Sequence, residues 1–143
     1  MVNALRHYPA AAARAYVTLV RGDSAAARRA FAALPDSVCA FWRFGCRSHK
    51  LIEAQLLQAM GNDRKAMELL DRWGGLEQWA GLEPLALLER ARLAERLGER
   101  DKAIKSYRFV ADVWRHADPE LQPHVVEARK GLERLTDELR GKQ

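Results

Sequence analysis

Apolar and polar positions follow the spacing of amphipathic helices along this chain, and three glycines separate the helices into pairs. Gly22, Gly61 and Gly98 each follow an amphipathic stretch and precede polar residues that suit the first turn of a new helix. Glycine tolerates the left-handed backbone conformation that closes a helix, so each position predicts a helix end and a helix start. Spacings of 39 and 37 residues predict helical hairpins stacked as repeats.

The three hairpins carry the same residue types at the same distances from their glycines. An alanine stands seven residues before each glycine, a second alanine five residues after it, and a large apolar residue nine after it. Small side chains let two antiparallel helices approach to about 8–10 Å, and the large residue fills the space beside them. These positions are Ala15, Ala27 and Phe31 in the first hairpin, Ala54, Ala66 and Leu70 in the second, and Ala91, Ala103 and Tyr107 in the third.

These helices predict one all-α domain over residues 1–143, a solenoid of three hairpin repeats with a C-terminal capping helix. Repeat 1 spans about 9–35, because Pro9 suits a first helical turn and residues 1–8 read as a frayed end or the stub of a preceding element. Repeats 2 and 3 span about 47–74 and 84–117. Apolar residues at steps of four and three over about 121–140 predict a last helix that covers the open end of repeat 3.

The connection between repeats 1 and 2 is longer than a hairpin repeat needs. Residues 36–46 contain Phe41, Trp42 and Phe44, three large rings that favour burial. Two interpretations stay open: the segment forms an extra turn or extends the following helix and packs its rings at the repeat junction, or the rings form an aromatic wall of a peptide groove.

At the repeated positions the chain resembles the tetratricopeptide repeat family. That motif has a small residue in the first helix, glycine at the turn, alanine early in the second helix and a large residue four positions later. The resemblance covers residues 9–117. It departs from the family in lacking tryptophan at the start of the first helices, where Ala11, Lys50 and Leu87 stand, and in a period longer than about 34 residues.

Three segments narrow the resemblance further. LPDSVC, LLERARLAERLGERDKAI and ADPELQPHVVEAR look like C-terminal repeat segments of large bacterial signalling proteins, including eukaryotic-like serine/threonine kinases. This likeness implies a module that is attached to other domains. The sequence itself has no kinase motif.

The family resemblance also implies a concave groove, lined by the first helices of the repeats, that holds a peptide or a partner protein. It implies apolar anchors at Tyr16 and Leu19 and acid-binding arginines at Arg92 and Arg96. An unused, solvated surface stays open as the alternative. The full set of residues implied to face the groove is Tyr16, Leu19, Gln55, Gln58, Arg92, Glu95 and Arg96.

Charge and composition bear on partner and location. The net charge is +5 and the pI about 9.6, but acidic and basic residues are interspersed over 89–96 and 127–134, which is typical of solvated helix faces. A basic surface that binds nucleic acid stays open as a less favoured alternative. The sequence has no apolar run that spans a bilayer and no secretory signal, so we expect a cytoplasmic protein. Homo-oligomerisation through an uncovered first helix stays an open alternative, as does a regulatory segment of a larger protein.

No motif in the sequence predicts catalysis or a cofactor. The nucleophile, phosphate-loop, zinc-protease and calcium-loop patterns are all absent, so we expect a non-enzymatic protein. Cys39, Cys46 and His49 have metal-ligating side chains, but their spacing lacks the ligand pairs and the fourth group of a zinc site. Buried thiols are the expectation for both cysteines, and a disulfide requires the segment between them to fold back.

Overall fold

The computed structural model describes residues 2–37, 43–73 and 83–140, with side chains in these ranges except at 2–6, 43–47, 73, 83 and 138–140. All regular structure in the described ranges is helical, as the sequence predicts. The elements are α1 (Val2–Val20), α2 (Ser24–Ala32), α3 (Arg43–Ala59), α4 (Asp63–Trp73), α5 (Glu83–Arg96), α6 (Arg100–Val113), a 3₁₀ turn (Pro119–Leu121) and α7 (Gln122–Arg140).

The three predicted turn glycines all adopt positive φ angles, +84° at Gly22, +74° at Gly61 and +73° at Gly98. At the second and third turns the amide of the residue after the glycine donates a hydrogen bond to the carbonyl five residues earlier, from Asn62 to Leu57 and from Glu99 to Ala94, each at 2.8 Å. This pairing satisfies carbonyl groups at the helix ends and requires the left-handed residue that glycine supplies. The predicted hairpin register is therefore confirmed.

The small residues of the repeat pattern lie where helices touch. All six repeated alanines have no exposed surface, and the three large partners are buried as well, with Tyr107 exposed by 2%. α1 packs on α2, α3 on α4 and α5 on α6, so each glycine separates two helices in contact. Close approach at alanine therefore builds each hairpin.

The chain divides into two compact units, Met1–Ala80 and Gly81–Gln143. The first unit holds α1 to α4, and its core cluster includes Tyr8, Ala12, Phe31, Leu34 and Leu56. The second holds α5 to α7, with α6 packed between the other two helices. The single-domain organisation over 1–143 stays a prediction.

Two helix starts differ from the predicted ones. α1 begins at Val2, so the frayed-end interpretation is wrong for residues 2–8, and Pro9 lies inside the helix instead of opening it. A proline inside a helix loses one backbone hydrogen bond, but Tyr8 is buried against α3 and holds the first turns in place. α3 begins at Arg43 rather than near residue 47, which agrees with the helix-extension interpretation for that end of the connection. Phe41 and Trp42 lie outside the described residues.

The C-terminal helix forms as predicted. α7 runs to Arg140 and packs on α6, and its Val125, Ala128 and Leu135 are buried. Gly131 is also buried on this face and makes room for the Tyr107 ring, because a Cβ at Gly131 would lie 2.6 Å from the ring carbon Cε2. α6 ends at Val113, earlier than the predicted end of repeat 3 near 117.

Candidate interaction surface

Helix α1 has one face in the core and a second, apolar face exposed to solvent. The exposed face has residues spaced three and four apart, so they lie on one side of the helix. Val17 is 49% exposed and Val20 is 86% exposed, the latter the highest value among the exposed large apolar side chains of the described residues. The residues of this face, called the α1 stripe below, are Pro9, Ala10, Ala13, Val17 and Val20.

A histidine at the centre of the first unit holds α1 in its position. His49 of α3 is buried, and a 2.6 Å hydrogen bond joins its Nδ1 to the Tyr8 hydroxyl of α1. Its ring also lies against Tyr16, at 5.3 Å between centroids, and against Phe31 of α2, at 5.8 Å. Three helices therefore meet at one imidazole.

Burial determines the protonation of this cluster. Desolvation lowers the pKa of His49, and the neighbouring Lys50 charge lowers it further. Desolvation likewise raises the pKa of Tyr8 to about 12. Lys50 is itself buried and pairs with Asp36 at 2.9 Å and Glu53 at 3.4 Å. Burial therefore favours the neutral imidazole and the neutral phenol, beside a lysine that is paired with two carboxylates.

The predicted groove residues of the first unit fall into two groups. Tyr16 and Leu19 are partly buried and pack against the core cluster, with the Tyr16 ring edge-on to Phe31 at 5.2 Å. Gln55 is exposed and Gln58 half-buried on α3. The sequence prediction did not include Val17 and Val20, although their spacing from Ala13 gives α1 a second apolar stripe that the sequence contains.

The predicted groove residues of the second unit contact α7. Arg92 donates two hydrogen bonds to the Glu127 carboxylate, each 2.6 Å, and a third of 2.6 Å to Glu89. The bond to Glu127 raises the pKa of Arg92, and the same bond lowers the pKa of Glu127. This forked pairing has the geometry of strong guanidinium–carboxylate contacts. Arg92 therefore fastens α5 to α7.

Glu95 makes a second link to α7. It accepts a 2.8 Å hydrogen bond from the Tyr107 hydroxyl and contacts of 2.8 to 3.2 Å from Arg134. Burial, then the bond to Glu95, raises the pKa of Tyr107, and the bond with Glu95 raises the pKa of Arg134. Arg96 is exposed. Two of the three groove residues predicted in this unit, Arg92 and Glu95, thus form ion pairs with α7.

The remaining surfaces give no chemistry of their own. A shallow depression of about 370 Å³ follows one face of α6, where its aspartates balance its basic residues; Asp101, Ile104, Lys105, Arg108, Phe109 and Asp112 line it. The described residues also offer no metal site, because none of them form a group of three or more metal-ligating side chains. Cys39 and the side chain of Cys46 lie outside the described part of the chain. None of the described helices combines the length and apolarity needed to cross a bilayer.

Comparison with known proteins bears on the fold. No protein-family model matches the chain, and no curated protein matches it significantly. Among solved structures, the crystal structure of PcrH from Pseudomonas aeruginosa is similar, with a TM-score of 0.67, 21% sequence identity and 92% of each chain covered. This likeness shows that the chain has the predicted all-α helical-repeat fold of the tetratricopeptide type. These comparisons do not support the narrower resemblance to kinase-linked segments.

Proposed function

We propose that this protein is a non-enzymatic interaction module that holds a peptide or partner protein against the first helices of its repeats. The observation that carries the proposal is the α1 stripe, an apolar face left in water on a helical-repeat fold. Stacked helical hairpins form extended surfaces suited to peptides and partner proteins. Covering Val17 and Val20 would gain about 25 cal/mol for each Å² of apolar surface removed from water.

The groove residues inferred from the sequence remain part of this proposal. Tyr16, Gln55 and Gln58 lie on helices whose outer faces reach solvent, whereas Leu19 acts through its support of α1. Arg92 and Glu95 would have to exchange their bonds to Glu127 and Arg134 for bonds to a partner. We therefore place the contact within the first unit, on α1 and α3.

The matched test uses exposed valines on different helices. A partner captured from native lysate should be lost with Val17→Asp plus Val20→Asp and retained with Val126→Asp, since Val126 on α7 is 47% exposed, close to Val17. Nuclease treatment should leave the capture intact, and circular dichroism should show unchanged helicity in all variants. Equal capture by wild type and the α1 variant would refute the proposal.

The α1 stripe also supports a second candidate, a regulatory or oligomerisation segment of a larger bacterial signalling protein in which α1 pairs with another copy. Sedimentation at increasing protein concentration tests this alternative. A dimer that Val17→Asp dissociates would favour it, and a monomer at high concentration would count against self-association. Cytoplasmic location stays a prediction in either case.

A further inference from the structure

The charge of this protein is concentrated in its first hairpin. Residues 1–32 hold five arginines and one aspartate, a net charge of +4 out of the +5 of the whole chain. The single aspartate, Asp23, caps α2 by accepting a 2.9 Å hydrogen bond from the Ala26 amide. Its charge therefore serves the start of that helix.

Two of these arginines border the α1 stripe. Arg14 and Arg21 follow Ala10 and Val17 by four residues each, so they lie one turn away along the same side of the helix. Both are exposed, and neither forms an ion pair with another described residue. By contrast, Arg92 and Arg134 in the second unit are paired with carboxylates. The first hairpin thus presents uncompensated guanidinium groups beside an apolar face.

We propose that the α1 stripe binds an amphipathic helix of a partner protein whose apolar side is bordered by acidic residues. This inference rests on the proposed interaction function and specifies the chemistry of its partner. Ala10 and Ala13 leave room for a helix to approach closely, and Val17 and Val20 pack against its apolar side. Carboxylates on its border pair with Arg14 and Arg21. From Pro9 to Val20 the stripe is about 16 Å long, which matches three turns of a partner helix.

Charge and side-chain size favour an acidic amphipathic helix over a second copy of the chain, a nucleic acid or a membrane surface. A second copy would place another +4 hairpin against the first, and like charges repel at such an interface. A phosphate backbone would pair with the arginines but leave Val17 and Val20 uncovered. A membrane surface requires large apolar side chains that insert between lipids, and the α1 stripe has only proline, alanine and valine. An acidic amphipathic helix satisfies both the apolar and the charged parts.

The experiment is a display selection on the full chain with amphipathic helical 14-residue peptides. The peptides share a leucine and alanine stripe, and their bordering positions are randomised among glutamate, glutamine and lysine. We expect glutamate to be enriched at the border, and Arg14→Gln plus Arg21→Gln to weaken the selected peptides about 10-fold. Arg108→Gln plus Arg115→Gln, a matched pair of exposed arginines elsewhere, should leave binding unchanged.

The outcomes separate this inference from the function on which it rests. Peptides that bind without a glutamate preference, and lose affinity with Val17→Asp alone, would overturn the acidic partner and keep the interaction module. The absence of any enriched peptide, or equal binding by wild type and Val17→Asp, would overturn both. Duplex DNA or phosphatidylglycerol vesicles that bind through Arg14 and Arg21 regardless of Val17 would replace the acidic helix with a polyanion.

Discussion

His49 connects three helices of the first unit through one side chain. Its ring lies within 6 Å of Tyr8, Tyr16 and Phe31 between ring centroids, and its Nδ1 is hydrogen-bonded to Tyr8. Because burial opposes protonation of this imidazole, we expect the packing of α1 to weaken at acidic pH. Because α1 carries the α1 stripe, the proposed partner binding should also weaken at acidic pH.

We expect acidification to destabilise the first unit through His49. Its pKa is lowered in the folded chain, so the unfolded chain takes up the proton first as pH falls below about 6.5. Stability should be constant above that pH and fall below it, by at most about 1.4 kcal/mol per pH unit. Denaturant titrations across this range measure the slope. His49→Phe should reduce it, at a pH-independent cost of about 1–3 kcal/mol for the Tyr8 hydroxyl that loses this partner.

The exposed His116 provides the control for this prediction. His116→Phe should retain the slope of the wild type between neutral and mildly acidic pH. If His49→Phe and wild type show the same slope, the buried imidazole does not account for it.

Gly131 is the other single residue with a testable structural role. Alanine in a helix interior normally stabilises by about 1 kcal/mol relative to glycine. Here the added Cβ would approach three carbons of the Tyr107 ring at 2.6 to 2.8 Å, so Gly131→Ala should instead destabilise by about 1–3 kcal/mol. Thermal unfolding measures the sign. Tyr107→Leu should relieve the clash, and a stabilised Gly131→Ala single variant would contradict the packing described.

At the scale of elements, α7 is held to α5 by two ion pairs and to α6 by apolar packing. The Arg92–Glu127 and Glu95–Arg134 contacts connect residues that are 35 and 39 positions apart in the sequence. These contacts occupy the positions where the family resemblance implies a ligand-binding surface. In the second unit the charged residues of α5, the first helix of repeat 3, therefore bind α7 of the same chain.

Removing the forked pair should loosen α7. Glu127→Gln leaves Arg92 with Glu89 alone, and a partly exposed pair of this kind contributes about 1 kcal/mol. The pKa of Glu127 is lowered in the folded chain, so its contribution is present above about 4.3 and is lost as pH falls through the lower folded value. Acid titration of stability should therefore differ between wild type and Glu127→Gln. Glu133→Gln, an exposed site on the same helix, is the control, and an equal effect there would rule out the pair as the cause.

At the scale of the whole molecule, the question is whether residues 1–143 act as one folding unit. Stacked repeats are coupled through nearest neighbours, so a lesion in one hairpin lowers the stability of the next only if their contact is strong. Each of the two compact units has its own core. The sequence-based prediction of one domain therefore requires that the stability of one unit depend on the stability of the other.

A lesion in the second unit tests this coupling. Ala103 has no exposed surface, so Ala103→Leu should overpack the contact between α5 and α6 and cost about 1–3 kcal/mol. If the chain is one domain, amide hydrogen exchange should accelerate in α3 as well as in α6. Unchanged exchange in α3 would show two independent domains. Ala13→Leu at an exposed site should change neither helix.

Local requirements made much of the fold predictable. The turns that close the helices require a left-handed backbone conformation, which glycine adopts without steric strain, and this explains the positive φ angles at Gly22, Gly61 and Gly98. Close approach of the helices explains why Ala15 and Ala91 have no exposed surface. These demands recur at the same offsets in each hairpin. The sequence by itself therefore determined the all-α repeat fold, the turn positions and the last helix.

Tertiary structure decided which polar and apolar side chains remain available for binding. Pro9 lies within a helix because Tyr8 is held by His49. Arg92 is already paired, because the fold brings Glu127, 35 positions further along the chain, within hydrogen-bonding distance. Val17 and Val20 are exposed because the described residues place no helix over that side of α1. Each of these outcomes depends on residues distant in sequence, so the periodicity of a single helix could predict two apolar faces on α1 but not which one stays in water.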